Sequence, residues 1–173
     1  MTLYLWDLAN TLFIEKWNVE LTGFQSFEYY VKSLGVDMKN PRAFEECYQE
    51  PYLKGEMFNL DVMPGFKDVL GWTKHNETFT TGISEQMNWR AEYLNPKVGF
   101  DIRDYFQKIV TTFDFTETNI KTQEMLEKYL VKRLGDGYNT VVYTDDKLAN
   151  CELFRKAAEK ANVSFLVYNM KND

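Results

Sequence analysis

Acidic side chains follow two apolar or β-branched segments that lie far apart in the sequence. Asp7 follows the apolar run at residues 3–6, and the pair Asp145-Asp146 follows the run at residues 139–144. If both runs are parallel strands, their carboxyl ends meet at the sheet edge where open α/β folds bind ligands. Three carboxylates at one edge repel one another strongly, so either some are protonated or a cation lies among them. Oxygen ligands with open positions are typical of Mg²⁺ sites.

Each acidic position also has a purely structural interpretation. Asp7 could form a turn with residues 8–10, because Asp favours turns. Asp145-Asp146 could cap the helix that follows, although such a cap would not prevent Asp146 from binding a metal. A helix starting at residue 2 would also account for the apolar residues before Asp7, since the period of so short a run does not separate helix from strand.

The composition is typical of a globular domain. The chain has 173 residues, of which 45% are apolar and 16% aromatic, enough for a substantial core. The net charge is -6 and the basic residues do not cluster, so we expect no nucleic-acid partner. The two cysteines form no metal-binding pattern, and neither a signal peptide nor a membrane span is evident. We therefore predict a cytoplasmic protein with no membrane partner; the sequence does not indicate its oligomeric state.

Strand and helix patterns alternate along the chain, which predicts a doubly wound parallel sheet. Residues 15–62 interrupt this alternation, because they carry helical patterns and no convincing strand. A helix begins there at Asn40-Pro41, and Pro51 is expected to end it. We predict a core domain of residues 1–14 and 63–173 with a helical cap subdomain of residues 15–62. The five predicted strands are residues 3–6, 78–82, 108–113, 139–144 and 163–168.

Four short motifs occur in order along this pattern: the turn Asp7-Leu8-Ala9-Asn10-Thr11, a Thr after the second strand, Lys121 before a helix, and Asp145-Asp146-Lys147-Leu148-Ala149-Asn150. Together they resemble the motifs of the haloacid dehalogenase (HAD) superfamily, and the resemblance covers nearly the whole chain. No single motif is specific, but four in order at strand ends are a strong signal. The resemblance implies a three-layer Rossmann-like α/β fold with strand order 5-4-1-2-3 and a small helical (C1-type) cap inserted after strand 1.

The resemblance also implies a nucleophile and a metal site. Asp7 would attack phosphorus and form a covalent aspartyl intermediate. Mg²⁺ would be bound by Asp7, by the backbone carbonyl of Ala9 and by Asp146, with Asp145 adjacent.

Further site residues follow from the same resemblance. Thr80, or Thr81 in the other register, would bind a phosphoryl oxygen, and Lys121 would pair with Asp7 and the phosphoryl group. Asn150 would support the acidic loop from behind. Thr80 could instead be an ordinary strand residue, and Lys121 a solvated lysine. The resemblance implies substrate contacts for Asn10, Thr81 and Gly82.

Ala9 departs from the family pattern. In the family's phosphatases an Asp at this position protonates the leaving group and later activates water, and a methyl group can do neither. The loss of a general acid/base typically costs about 10²–10⁴-fold in rate. We therefore predict a HAD-like hydrolase that binds Mg²⁺ and a small phosphorylated or phosphonate molecule but hydrolyses ordinary phosphate monoesters poorly.

Two alternative functions remain open. The chain could be a catalytically inactive binding or regulatory protein on the same fold. It could also be similar to phosphonoacetaldehyde hydrolases, which carry Ala at the position of Ala9 and use a cap lysine to form a Schiff base. Lys54 is the best-placed candidate, with Lys32 and Lys39 as others. A solvated surface lysine is the simpler interpretation of Lys54, because a reactive lysine needs a desolvated pocket.

Overall fold

The computed structural model describes residues 1–171. Its centre is a four-stranded parallel sheet in the order β4-β1-β5-β6, and β2 and β3 form a separate antiparallel pair. The strands are β1 (Thr2–Trp6), β2 (Phe13–Trp17), β3 (Phe58–Val62), β4 (Asn76–Thr78), β5 (Thr140–Asp145) and β6 (Ser164–Asn169). The α-helices are α1 (Val19–Thr22), α2 (Phe27–Ser33), α3 (Pro41–Glu46), α4 (Gln49–Leu53), α5 (Phe66–Trp72), α6 (Glu85–Val98), α7 (Gln123–Gly135) and α8 (Leu148–Ala161).

Helices cover both faces of the parallel sheet. Leu3 and Leu5 of β1 pack in one core with apolar residues of α7 and α8. Trp6, which points to the opposite face, packs in a second core with residues of α5 and α6. Because successive side chains of a strand point to opposite faces, a strand buried on both sides reads as a continuous apolar run. The architecture is therefore the predicted three-layer α/β fold, and residues 3–6 are a strand rather than a helix.

One predicted strand is not a regular strand. Residues 108–113 make only isolated parallel bridges, to Glu77 and to Thr80. Thr111 and Asp114 form a capping box, in which the Asp114 carboxylate accepts a hydrogen bond of 2.8 Å from the Thr111 backbone N–H. A 3₁₀ turn begins there, because these side-chain bonds satisfy backbone groups that a longer ladder would have used.

The antiparallel pair corrects the prediction that residues 15–62 contain no strand. Phe13 of β2 lies opposite Val62 of β3, and Trp17 lies opposite Phe58. Both strands are half-buried and mix charged with apolar residues, so they lack the continuous apolar run that marks the central strands.

Residues 18–57, between β2 and β3, are otherwise helical as predicted. Asn40 caps α3 by accepting a hydrogen bond from Ala43 N at 3.1 Å, with Pro41 at the first helical position. The prediction that Pro51 ends a helix is wrong: Pro51 lies in the first turn of α4, where its missing N–H costs nothing.

The topology brings the ends of two distant strands together. β1 and β5 are parallel neighbours with Trp6 opposite Thr144. The Asp7 N–H continues the ladder by donating to the Thr144 carbonyl at 2.9 Å. Asp7 and Asp145 therefore leave the sheet at the same edge. None of the helices within residues 1–171 is long and apolar enough to cross a membrane.

Candidate active site

The three acidic residues predicted at the sheet edge lie together in the structure. One carboxylate oxygen from each of Asp7, Asp145 and Asp146 lies within 4.8 Å of the other two. Asp7 and Asp145 are buried and Asp146 is half-buried. Carboxylates held this close repel one another unless protons or a cation compensate their charge, and carboxylate oxygens are ligands that Mg²⁺ prefers.

Lys121 is the cation of this cluster. Its Nζ donates to Asp7 Oδ1 at 2.9 Å and to Asp145 Oδ2 at 2.6 Å, and its side chain is only 1% exposed. Burial alone would lower the pKa of the Lys121 ammonium, but Asp7, Tyr143 and Asp145 outweigh burial and raise that pKa above its ordinary value. Lys121 is thus a buried, charged partner of Asp7 rather than a solvated lysine.

Asp145 is occupied by donors from the protein. Its Oδ2 accepts hydrogen bonds from Lys121, from the Tyr143 hydroxyl at 2.7 Å and from Asn150 Nδ2 at 3.2 Å. Its Oδ1 accepts from Lys147 N at 2.9 Å, at the start of α8. Burial raises the pKa of Asp145, but the Lys121 charge and these donors outweigh burial and lower it overall. Asp145 therefore orders the loop before α8, and Asn150 is one of its donors.

Asp146 has the opposite electrostatic environment. Burial and the nearby charges of Asp7 and Asp145 raise the pKa of the Asp146 carboxyl to about 7. Asp7 differs again, because its Oδ2 accepts a hydrogen bond from the neutral Thr11 hydroxyl at 3.2 Å. Asp7 and Asp146 are therefore the two members of the cluster best suited to bind a divalent cation.

The cluster opens into a pocket of about 220 Å³. The side of the pocket at the sheet edge is formed by Asp7, Ala9, Asn10, Thr80, Thr81, Asp146, Lys147 and Asn150. The opposite side is formed by Glu15, Phe27, Glu45, Tyr48, Tyr52, Phe58, Gln86 and Arg90. Most of the residues predicted to bind metal or substrate thus border one pocket, with Lys121 packed behind Asp7.

The segment Thr80–Gly82 borders this pocket through its two threonines. Thr80 is buried, and its hydroxyl donates to the Thr81 carbonyl at 3.2 Å. Gly82 has a φ of +96°, and a Cβ at this position would collide with Gln86 Oε1. Only glycine fits both the backbone conformation and the space. Asn10 also has a positive φ, of 59°, and its Oδ1 accepts from Glu15 N at 3.2 Å.

Lys54 lies outside the pocket. Its Nζ is 2.7 Å from Glu50 Oε1 on the surface of α4, and its side chain is 55% exposed. Lys32 forms a similar exposed pair with Glu28, and Lys39 is also exposed. These positions give no support to a Schiff base formed by a lysine of residues 18–57.

The opposite side of the pocket contains a buried ion pair that the sequence analysis did not predict. Arg90 of α6 donates to both carboxylate oxygens of Glu15 on β2, at 2.7 and 3.3 Å. The Tyr52 hydroxyl donates to Glu15 Oε1 at 2.9 Å. The pairing of Glu15 with Arg90 was missed because β2 was not predicted and because the two residues are 75 positions apart in the sequence.

A second carboxylate on that side, Glu45 of α3, was also missed. Its Oε2 accepts from the Tyr48 hydroxyl at 2.9 Å and from Gln86 Nε2 at 2.9 Å. Its Oε1 accepts from Asn119 Nδ2 at 3.2 Å. No local pattern marks Glu45, because its donors come from three separate parts of the chain.

Comparisons with known proteins identify the fold. No protein-family model matches the chain, and no curated protein matches its sequence. Two solved structures are similar in fold. The UTR4 protein of Saccharomyces cerevisiae is 11% identical with a TM-score of 0.59, over 96% of this chain and 89% of that chain. The HAD domain of the effector protein Lem4 of Legionella pneumophila, an inactive mutant, is 12% identical with a TM-score of 0.53, over 98% of this chain and 85% of that chain. The chain therefore has a HAD-like fold.

Proposed function

We propose that this protein is a Mg²⁺-dependent HAD-like hydrolase that acts on a small phosphorylated or phosphonate molecule through an aspartyl intermediate at Asp7. The observation that carries the proposal is the group of three carboxylates within 4.8 Å of one another, two of which, Asp7 and Asp146, border the pocket. We further propose that residues 15–62 are a cap that determines the substrate and that the protein acts in the cytoplasm.

The donor set fits a magnesium ion. Asp7 and Asp146 would bind it together with the backbone carbonyl of Ala9, while Asp145 keeps its bonds to Lys121, Tyr143 and other donors. When bound, Mg²⁺ supplies positive charge beside the phosphoryl oxygens. The raised pKa of Asp146 supports this fit, because it reflects negative charge that the single ammonium of Lys121 does not compensate.

The residues of the chain would divide the chemistry between them. With a phosphate ester, an oxygen of Asp7 would attack phosphorus, and the bond from phosphorus to the leaving oxygen would break with its electron pair going to that oxygen. Lys121, held 2.9 Å from Asp7, keeps the carboxylate oriented and balances the charge that develops on the phosphoryl group. Thr80 and Thr81 border the pocket where they would bind phosphoryl oxygens. Water would then attack phosphorus, the bond from phosphorus to the Asp7 oxygen would break with its electron pair returning to the carboxylate, and the proton of the water would go to solvent.

Because position 9 is Ala, the Asp that usually protonates the leaving group is missing. A leaving group of low pKa needs no such donor, so activated esters should react better than alkyl phosphates. Slow turnover of alkyl phosphates is therefore part of the proposal.

Trapping with beryllium fluoride tests the nucleophile directly. With Mg²⁺ present, the phosphate mimic should load Asp7, as detected by ¹⁹F NMR. Asp7→Asn should abolish the adduct, whereas Asp68→Asn, which changes an exposed aspartate on α5, should leave it intact. An adduct that survives in Asp7→Asn would refute the proposed role of Asp7.

A non-catalytic binding function is the second candidate, and Ala9 is the observation that favours it. On this alternative the pocket binds a phosphorylated ligand and never forms the intermediate. The absence of an adduct, together with no hydrolysis across a panel of phosphates and phosphonates, would favour the binding function.

A further inference from the structure

We infer that Glu45 binds a protonated amine of the substrate, so that the ligand is a small amine carrying a phosphoryl or phosphonyl group. This inference rests on the proposed function for the phosphoryl end of the ligand. It deepens that function by naming the group at the other end.

The first argument is charge balance among buried acids. Glu45 is 7% exposed, and Lys or Arg forms no ion pair with it within residues 1–171. The other carboxylates buried to this degree, and Glu15, have a cationic partner; the exception among the pocket acids is half-buried Asp146, the proposed Mg²⁺ ligand. The partners are Lys121 for Asp7 and Asp145, Arg90 for Glu15, and Arg133 for Glu77. Buried charges are normally paired, so the missing cation is one that the ligand supplies.

The second argument is the chemistry of the donors around Glu45. The hydroxyl of Tyr48 and the amides of Gln86 and Asn119 hold the carboxylate in place without neutralising it. A carboxylate has about four acceptor positions, and these donors use three of them. Oε1, which accepts only the 3.2 Å bond from Asn119, keeps capacity for a further donor.

The third argument is the surface next to Glu45. The rings of Phe27, Tyr48 and Tyr52 border the same pocket. The ring centroids of Phe27 and Tyr48 are 5.1 Å apart, with the two rings edge to face. Aromatic rings attract a cation that lies over their faces, so an ammonium group placed over one of these rings would be stabilised further. Arg90 is engaged elsewhere, because its Nε and Nη2 donate to Glu15.

The fourth argument is the closeness of Glu45 to the segment proposed to bind phosphate. Glu45 Oε2 lies 3.5 Å from the position that a Cβ on Gly82 would occupy, directly after Thr80 and Thr81. A pocket of about 220 Å³ that holds both sites leaves room for a short spacer. The ligand is therefore a compact molecule with its two charged ends a few bonds apart.

The test compares two probes of similar shape, 2-aminoethyl phosphate and propyl phosphate. Their binding to the unsubstituted protein is measured by calorimetry with Mg²⁺, since turnover of alkyl phosphates is expected to be slow without an acid/base group at Ala9. The protein should bind the amine at least about 10-fold more tightly, which is the usual worth of a hydrogen bond to a charged group. Equal affinity for the two probes would overturn the inference.

Variants assign the preference to Glu45. Glu45→Gln keeps the shape and the neutral contacts, and it should remove the preference while leaving propyl phosphate binding within about 2-fold. Glu50→Gln, an exposed glutamate on the neighbouring helix α4, should keep the full preference. Retention of the preference in a folded Glu45→Gln protein would also overturn the inference. If Glu45→Gln does not fold, the two-probe comparison in the Glu45-containing protein decides.

Failure of the two proposals can be distinguished. A preference for the amine, with neither a fluoride adduct at Asp7 nor hydrolysis across the panel, would support amine recognition and refute the hydrolase. An adduct with no preference would support the hydrolase and refute amine recognition.

Discussion

Two buried ionic clusters lie on neighbouring strands of the sheet, and they differ in charge balance. The sheet-edge cluster consists of Asp7, Lys121, Asp145 and Asp146, so three acids share one lysine, and two of the acids, Asp7 and Asp146, border the pocket. The second cluster centres on Glu77 of β4, which is completely buried. Its carboxylate accepts from Tyr129, from Arg133 and from Gln107 Nε2.

The difference in charge balance indicates that the Glu77 cluster is a structural ion pair and that the sheet-edge cluster is a site for a ligand. In the Glu77 cluster one buried acid meets one arginine, and hydroxyl and amide donors complete its hydrogen bonding. In the sheet-edge cluster the excess acid raises the pKa of Asp146 to about 7. Removing one partner of a balanced buried pair destabilises the fold, whereas removing an acid from an unbalanced group relieves repulsion.

The largest expected effect comes from neutralising one acid in each cluster. Asp7→Asn should reduce turnover to the uncatalysed level while changing the free energy of unfolding by no more than about 1 kcal/mol, because Lys121 keeps Asp145 as its partner and the repulsion among the acids falls. Glu77→Gln should lower the free energy of unfolding by about 3 kcal/mol, because Arg133 loses its buried partner. Urea denaturation in EDTA, with hydrolysis measured on the folded proteins, checks both. The contrast between the clusters fails if Asp7→Asn is destabilised as much as Glu77→Gln.

Adding a carboxylate to the sheet-edge cluster is the next test. Ala9→Asp should raise hydrolysis of an alkyl phosphate by about 10²-fold or more, because it restores an acid/base group. The same change should lower the melting temperature in EDTA, since a further acid increases the repulsion. Ala9→Asn is the matched control and should leave the rate low. Unchanged activity in Ala9→Asp would mean that more than this one group has been lost.

The pH dependence of stability sharpens the contrast further. With a pKa of about 7, folded Asp146 keeps a proton that the unfolded chain releases near pH 4. Protonation of Asp146 in the folded state therefore stabilises the fold. This stabilisation is complete below about pH 4 and is lost as the pH rises to about 7. Asp146→Asn should consequently gain stability relative to the unsubstituted protein between pH 5 and pH 8 in EDTA.

Melting temperatures at pH 5, 6.5 and 8 provide this measurement. Mg²⁺ should stabilise the unsubstituted protein more at pH 8 than at pH 5 and should stabilise Asp146→Asn little. A difference between the two proteins that does not change with pH would show that Asp146 titrates normally.

The smallest expected effect concerns one tyrosine in each cluster. Tyr143→Phe removes a hydroxyl that donates to Asp145 at 2.7 Å, and Tyr129→Phe removes one that donates to Glu77. Each change should cost about 1–2 kcal/mol of unfolding free energy, measured in urea. Only Tyr143→Phe should also slow formation of the fluoride adduct. Equal adduct rates in both variants would show that Tyr143 has no role in orienting the sheet-edge cluster.

The sequence predicted the sheet edge because local patterns mark it. Residues 3–6 are apolar enough to be a doubly buried strand, and the acids follow β1 and β5 at once. Parallel pairing then fixes where Asp7 and Asp145 meet. The pairing of Lys121 with Asp7 followed from the resemblance alone, since no local pattern distinguishes a buried lysine from an exposed one, and its bond to Asp145 was not predicted.

The opposite side of the pocket could not be predicted in this way. Gln86 and Glu45 are 41 residues apart, and Asn119 and Glu45 are 74 residues apart. Their contacts depend on how residues 18–57 pack against α6, which no periodicity specifies. β2 and β3 were missed for a related reason: their half-buried, mixed sequences become strands through pairing with each other.

Three side chains on one face of α6 contact residues 15–52 on the opposite side of the pocket. Gln86 bonds Glu45, Trp89 packs against the rings of Tyr48 and Tyr52, and Arg90 bonds Glu15. Because these three contacts order the opposite side of the pocket before a ligand binds, little conformational entropy is lost on binding. Evolution of a new specificity would then require coordinated substitutions on α6 and in residues 15–52, rather than single exchanges at either.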